Sequence, residues 1–296
     1  MNKKKKIVLI GCVHSTKAAF DFLINMESSY FEFSGVVSKS QSNINADFFN
    51  IANLSKKKKI PLFLYDSTKD SNNMSKWLED IKPDLIFVIG WSHIISKKVL
   101  SIPSISIIGF HPSELPMNRG RHPIIWSLVL GLKQTASSFF LMEGEVDKGP
   151  IVNQKKIKIS INDNAESLYK KINQAIPIQL NQILRRIKNK SLIAHKQNDG
   201  QSNLWRKRTA SDGEIDWRMS SSSIYNLIRA LSSPYSGAFF KDNSGKEIKV
   251  FKSTIYLGII ANNLEPGKIL KSNPNELLVK TSDGAILLRD LSSKPL

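Results

Sequence analysis

Four short apolar runs, each as long as a β-strand, constrain this chain more than any other feature. They are Lys6–Ile10, Phe33–Val37, Asp84–Gly90 and Ile105–Phe110. Between them lie stretches with helical spacing. Ala18, Ala19, Phe22 and Leu23 follow the first run, residues 46–58 read as a helix, and Met74, Trp77, Leu78 and Ile81 give a helix over 72–81 that Pro83 breaks. Pro61–Tyr65 adds a short strand. Strands that alternate with helices predict a parallel sheet covered on both faces.

The second half of the chain changes character. Leu168, Ile172, Ile176, Leu180, Ile183, Leu184 and Ile187 give a helix over 164–189 with a basic outer face. Residues 195–213 are polar and read as a linker. A short helix, Ser222–Leu231, ends near Pro234. Strands follow at Glu247–Lys252, Gly267–Leu270, Glu276–Lys280 and Ala285–Leu288, with turn signals at Asn273-Pro-Asn275 and Asp283-Gly284. The expected class is α/β: a Rossmann-like, mostly parallel N-terminal domain with a small C-terminal β-barrel (OB-like) domain. The expected boundaries are 1–195 for the catalytic domain, 196–212 for the linker and 213–296 for the β domain. Gly11 opens no Gly-x-Gly-x-x-Gly fingerprint, because Val13 and Thr16 occupy the other positions, so a nicotinamide site is not expected.

Composition narrows the context. No apolar stretch approaches the roughly 20 residues of a membrane span, and Ile7–Ile10 is too short for a signal-peptide core. A single cysteine, Cys12, excludes an internal disulfide and fits a reducing cytoplasm. The five histidines are scattered, so no metal site is expected. The formal net charge of +18 suits phosphate-bearing partners, but lysine runs such as Lys56–Lys59 read as solvated faces, so charge alone does not choose a partner.

Two segments carry chemistry. A buried strand ends at Phe110, and His111 follows it into a Pro-Ser-Glu-Leu-Pro turn and an Arg119-Gly-Arg121 loop. Ligands of open α/β sheets bind outside the carboxyl ends of the strands, and an imidazole there titrates near neutrality and reaches a reacting carbonyl. The second segment runs from Met142 to Val152. It holds Asp147 on a Gly-flanked turn after an apolar strand, Ser138–Met142. Such a carboxylate orients an imidazolium or accepts a proton.

Together these segments resemble the folate-dependent formyltransferase family, which includes methionyl-tRNA and amino-sugar formyltransferases. The match runs through His111-Pro-Ser113-x-Leu115-Pro116, Arg119-Gly120, Pro123, Trp126, Gly131, Thr135 and Asp147-x-Gly149-x-Ile151. It continues through Trp205-Arg-Lys-Arg208, Asp212-Gly213-x-Ile215-Asp216-Trp217, Asn226-Leu-Ile-Arg229-Ala-Leu231 and Pro234-Tyr235-x-Gly237-Ala238-Phe239, nearly the whole chain. In one place the chain departs from the family. Two residues before the histidine the family has Asn, a donor to the developing oxyanion, and this chain has Gly109. A donor of that kind is worth about 3 kcal/mol. Ser113, Asn118, His93 or a backbone N–H are the candidate substitutes.

The resemblance implies 10-formyltetrahydrofolate as donor, no metal, and a primary amine as acceptor. His111 would stabilise the oxyanion or also shuttle a proton to the leaving nitrogen, and Asp147 would help deprotonate the amine or hold His111 charged, with Ser113 beside them. Gly90, Trp91, Ser92 and Met142 would border the folate. Asn118, Arg119, Gly120 and Arg121 would meet the acceptor, the two arginines as a fork for phosphate or pterin-side contacts. The expected acceptor is a nucleotide-linked 4-amino-4,6-dideoxy sugar (UDP or dTDP) for surface glycans such as lipopolysaccharide O-antigen. Methionyl-tRNA is the alternative, and a catalytically silent nucleotide-sugar-binding homologue the second. Ser38–Asp47 has one positive charge and no glycine, a poor arm for an acceptor stem. Nucleic acid is therefore expected only under the tRNA alternative, no membrane partner is expected, and a homodimer is left open.

Overall fold

The structure is a computed structural model, and it describes residues 3–42, 45–273 and 276–292. Pro274 and Asn275 of the expected turn, and Asn43 and Ile44 of the polar Ser38–Asp47 stretch, lie outside the described residues. From the amino end the elements are β1 (Lys5–Ile10), α1 (His14–Ile24), β2 (Phe31–Ser38), α2 (Ile51–Lys57), β3 (Leu62–Leu64), α3 (Ser71–Ile81) and β4 (Leu85–Val88). Next come α4 (Lys97–Leu100), β5 (Ser106–His111), β6 (Arg119–Gly120), α5 (Pro123–Val129), β7 (Gln134–Leu141), β8 (Ile151–Lys158) and α6 (Ala165–Lys188). The chain continues with β9 (Leu204–Trp205), α7 (Ser221–Ala230), β10 (Ala238–Lys241), β11 (Glu247–Tyr256), β12 (Ile269–Asn273), β13 (Glu276–Lys280) and β14 (Ala285–Leu291).

These form two compact units. The first comprises 1–120, 136–157 and 171–204, and the second 121–135, 158–170 and 205–296. The stretch read as a linker therefore belongs, up to Leu204, to the first unit. Its residues 197–203 hydrogen-bond into that unit, as described below.

The first unit carries a seven-stranded sheet in the order β3-β2-β1-β4-β5-β7-β8. The pairs from β3 to β5 are parallel, and β7 joins β5 antiparallel. Each apolar run is divided between two cores, as a sheet covered on both faces requires. Ile7 and Leu9 of β1 face α1 and α6, among Phe20, Leu23, Ile176, Leu180 and Ile183. Val8 and Ile10 face α3 and α4, among Met74, Leu78 and Val99. Thr16 shows what replaces a dinucleotide fingerprint. Its hydroxyl donates to the Ile89 carbonyl at 2.6 Å and accepts from the Val13 N–H at 3.0 Å, which pins the start of α1 to the strand beside it.

Most predicted elements stand within a residue or two of their expected ends. The helix expected over 46–58 begins only at Ile51, because the Asn50 side chain accepts from the Asn53 N–H at 2.9 Å and caps it there. Strand β10 was not expected from the sequence.

The second unit holds a five-stranded antiparallel sheet, β10-β11-β14-β13-β12, with α7 packed on β11 and β14. Ile224, Leu227 and Ile228 supply the buried face of α7. Arg229 at its end is buried and donates to the carbonyls of Ser160 at 3.0 Å and Asp163 at 2.8 Å. Among the described residues no helix is long and apolar enough to cross a membrane.

Phe20 is fully buried between β1 and α6. Phe20→Ala is expected to destabilise the first unit by about 3–5 kcal/mol. Urea unfolding followed by fluorescence checks this, with the lower midpoint seen at an unchanged slope.

Candidate active site

His111 is the last residue of β5, paired with Ser138 of β7. Its ring is buried, with Nε2 2.9 Å from the Asn118 carbonyl. A carbonyl only accepts, so Nε2 carries the proton in that contact. Nδ1 is thereby left to face Asp147, whose Oδ2 is 3.6 Å away. The side chains are 7% and 13% exposed, so a polar group placed between them is largely out of bulk water. At 3.6 Å the pair is too far apart for a direct hydrogen bond.

Asp147 is placed by its backbone. It has φ +56°, in the left-handed region, and Asn118 across the site has φ +64°. Asn and Asp tolerate that region best among residues with a side chain, and it costs about 1–3 kcal/mol each. The Asp147 carboxylate accepts the Gly120 N–H at 3.0 Å. Gly149, two residues on, must be glycine. A Cβ there would stand 1.6 Å from the Leu141 carbonyl oxygen, where the loop returns against β7.

Several expected site residues have different tasks. Ser113 is fully buried, and its hydroxyl donates to the Met117 carbonyl at 3.3 Å while its own carbonyl accepts from Ser138 at 2.6 Å. It locks the turn after His111, and its hydroxyl is already engaged. Asn118 contributes its backbone: the carbonyl holds His111, and the N–H donates to the Asn203 side chain at 2.7 Å. Gly120 serves Asp147.

Arg119 corrects the expectation of a two-guanidinium fork. It is 4% exposed, and its guanidinium donates to Gln197 Oε1 at 2.8 and 3.1 Å and to Asp199 at 2.8 Å. A guanidinium committed in this way is a structural tie. Arg121 is exposed and lies in the second unit.

The expected donor-side residues cluster beyond β4. Trp91 meets Tyr65 edge-on with ring centroids 5.2 Å apart, and His93 lies 5.2–5.3 Å from both rings. Ser92 accepts from the Asn45 side chain at 3.0 Å. Gly90 has φ +68°, and a Cβ there would meet Val13 at 2.0 Å, so packing alone demands glycine. Met142 packs with Trp91 against the second core layer, and its N–H continues the sheet to the Ile107 carbonyl at 2.9 Å.

Gly109 is explained by its cross-strand partner, Phe140. A Cβ at 109 would lie 2.8 Å from the Phe140 ring and 2.9 Å from Met142 Cγ. The space that a larger residue would need is occupied by these two side chains. Sequence reasoning also passed over Gln197, which bridges Arg119 to the Asp147 loop and lay in what looked like a linker.

In the second unit the Trp205-Arg-Lys-Arg208 motif packs. The Arg208 guanidinium lies 4.7 Å from the centre of the Trp126 ring, and Trp126 donates its indole N–H to the Arg206 carbonyl at 3.0 Å. Burial, then the charges of Arg121, Lys207 and Arg208, push the His122 pKa down. The neutral ring this favours accepts the Arg208 N–H at Nδ1, 3.2 Å away.

Residues 27–184 match the formyl transferase family, and residues 207–295 match the formyl transferase C-terminal domain. The chain belongs to the formyl transferase family. It is 37% identical over 230 residues to the bifunctional polymyxin resistance protein ArnA of Wigglesworthia glossinidia brevipalpis. That alignment takes in 77% of the chain, and the chain spans about a third of the relative's length (34%). Its fold is similar to that of the N-formyltransferase from Helicobacter canadensis in complex with folinic acid and dTDP-3-aminofucose. The TM-score is 0.74 at 16% identity, over 97% of this chain and 99% of that one. Methionyl-tRNA formyltransferase from Clostridium thermocellum gives a TM-score of 0.61 at 19% identity, over 88% and 98%.

Gly109→Asn restores the family's residue where there is no room for it. The variant is expected to lose about 1–3 kcal/mol of stability by overpacking and to gain no turnover. Adding Phe140→Ala should recover part of the lost melting temperature. Melting curves and formyl-transfer rates for the single and double variants check this.

Proposed function

We propose that this formyltransferase moves a formyl group from 10-formyltetrahydrofolate to the primary amine of a nucleotide-linked amino sugar used for surface glycans, with His111 and Asp147 at the reacting centre. The observation that carries the reading is the buried His111–Asp147 pair at the carboxyl end of β5, 3.6 Å apart and each held from behind by a backbone group.

The donor side suits a flat heterocycle. Trp91, Tyr65 and His93 form an aromatic corner at the carboxyl end of β4, the end at which α/β sheets bind ligands. Trp91, Ser92 and Met142 would border the folate there. The bound donor supplies an activated formyl carbon. An amine attacks only with its lone pair free, so its proton must leave. Asp147 is the carboxylate placed to take that proton. His111 keeps one proton on Nε2 through Asn118 and presents Nδ1 to the reacting groups, where a second proton offsets developing oxygen charge and is passed on to the leaving nitrogen.

For the acceptor, Lys39 is informative. It is the one cation of the Ser38–Asp47 stretch, and it is buried, so that stretch offers no exposed cation to RNA phosphates. The Helicobacter complex with dTDP-3-aminofucose supports the sugar reading. With Arg119 committed to the fold, recognition of the pyrophosphate falls to other residues.

His111→Ala and Asp147→Asn should each lower turnover about 100-fold or more while leaving the melting temperature near that of the parent. A chelator should leave turnover unchanged. The acceptor is tested by offering 10-formyltetrahydrofolate with UDP- or dTDP-amino sugars and with charged initiator tRNA, and following product by mass. Formyl gain on a sugar amine supports the reading. Gain on the methionyl-tRNA alone establishes the tRNA alternative, and no gain on any acceptor establishes the silent homologue.

A further inference from the structure

We propose that Gln197 is the positioning residue that sets Asp147 against His111. This rests on the reading of Asp147 as a reacting group. Gln197 is 7% exposed, and its amide uses every hydrogen-bonding position it has. Oε1 accepts Nε and Nη2 of Arg119, at 3.1 and 2.8 Å. Nε2 donates to the main-chain carbonyls of Asp147 at 2.7 Å and Gly149 at 2.8 Å. The orientation of the amide follows from chemistry, because a guanidinium only donates and a carbonyl only accepts.

The consequence is geometric. The site is built from two loops that share no regular hydrogen-bonding pattern. One is 118–120, whose Asn118 carbonyl holds His111 and whose Gly120 N–H holds the Asp147 carboxylate. The other is 147–149, which holds Asp147 at φ +56°. Gln197 joins the side chain of the first loop to the backbone of the second. The same segment grips the first loop again, since the Asn203 side chain accepts the Asn118 N–H and the Asn203 carbonyl accepts the Arg119 N–H at 3.2 Å. Asp199 balances the Arg119 charge at 2.8 Å. Without the Gln197 amide, the Asp147 and Gly149 carbonyls lose their donor, and a strained turn loses the contacts that over-determine it. A carboxylate displaced by about 1 Å is enough to cost a factor near 100 in rate.

The test is a double-mutant cycle in the full chain, measured as kcat and KM for formyl transfer. Gln197→Met keeps the size and removes the hydrogen bonds. Gln197→Glu keeps the Arg119 tie and sets a carboxylate oxygen against the two carbonyls, so it remains informative where the methionine variant folds poorly. Each folded variant is expected to lower kcat about 10- to 100-fold, with KM for both substrates within about twofold. In an Asp147→Asn background, Gln197→Met or Gln197→Glu should lower kcat no further, since the group it positions is already gone. An equal loss in both backgrounds overturns the proposal and makes Gln197 a general stabiliser. Near-normal kcat in folded Gln197→Glu overturns it as well. Asp147→Asn with near-normal kcat removes the catalytic reading itself, whatever the Gln197 variants do.

Discussion

The register between β5 and β7 decides where His111 and Asp147 stand. Strand β5 is held in parallel by β4 and antiparallel by β7, with Gly109 opposite Phe140 and His111 opposite Ser138. That pairing ends β5 at the imidazole and sets a phenyl ring over the glycine. It also starts the 142–150 loop from the strand beside the imidazole, so Asp147 returns to within 3.6 Å of it. A slip of one residue would turn His111 to the other face of the sheet. The apolar side chains of β5 and β7 resist such a slip, because Ile108 and Phe139 share one core while Ile107 lies in the other.

Around this register the chain uses backbone groups for what side chains often do. His111 leans on a carbonyl, Asp147 on an N–H, and the turn at Ser113 on two carbonyls. Backbone donors and acceptors bring no rotamer freedom, so the geometry is lost only if the loops themselves move. The stability of the site therefore rests on what ties the loops together. Those ties are Arg119, Gln197 and Asn203, none of which touches His111 or Asp147 through a side-chain-to-side-chain bond. Arg119 is the costly member. A guanidinium buried among neutral groups is tolerable here because three donors are satisfied and Asp199 supplies a partner charge.

Much of this was legible in the sequence, for a physical reason. Strands buried on both faces are short, apolar and bounded by Gly or Pro, so β1, β4 and β5 announce themselves. His111 followed by Pro112 stands at the carboxyl end of such a strand, the end at which α/β sheets bind ligands. Roles that depend on contacts between residues far apart in sequence were hidden. Gln197 sits 50 residues from Asp147 in a polar stretch whose composition is that of a loop. Arg119 looked available because arginine in a Gly-flanked loop usually is, and only its distant partners reveal otherwise. Ser113 has the chemistry of a donor but no exposure. The start of α2 shows the same limit at small scale, since one Asn50 cap moved it five residues from the expected position.

The positive charge has a place in this argument once the direction of the strands is known. Lys3, Lys4, Lys5 and Lys6 lie at the start of β1 with Lys82 and Lys98 nearby, at the amino ends of the parallel strands. His111 lies at the opposite, carboxyl end of β5. Six residues of strand at about 3.3 Å each separate the two ends by roughly 17–20 Å, about twice the screening length of physiological salt. Part of that charge is also answered locally, by Asp84 on Lys5 at 2.9 Å and Glu79 on Lys98 at 3.0 Å. Lys56 and Lys57 fall in the last turn of α2, where the helix dipole favours cations without any partner. The lysines at the amino ends of the strands therefore do little to raise the potential at His111. A polyanion would gain little at His111 from those lysines, whatever it gains from groups that line the site.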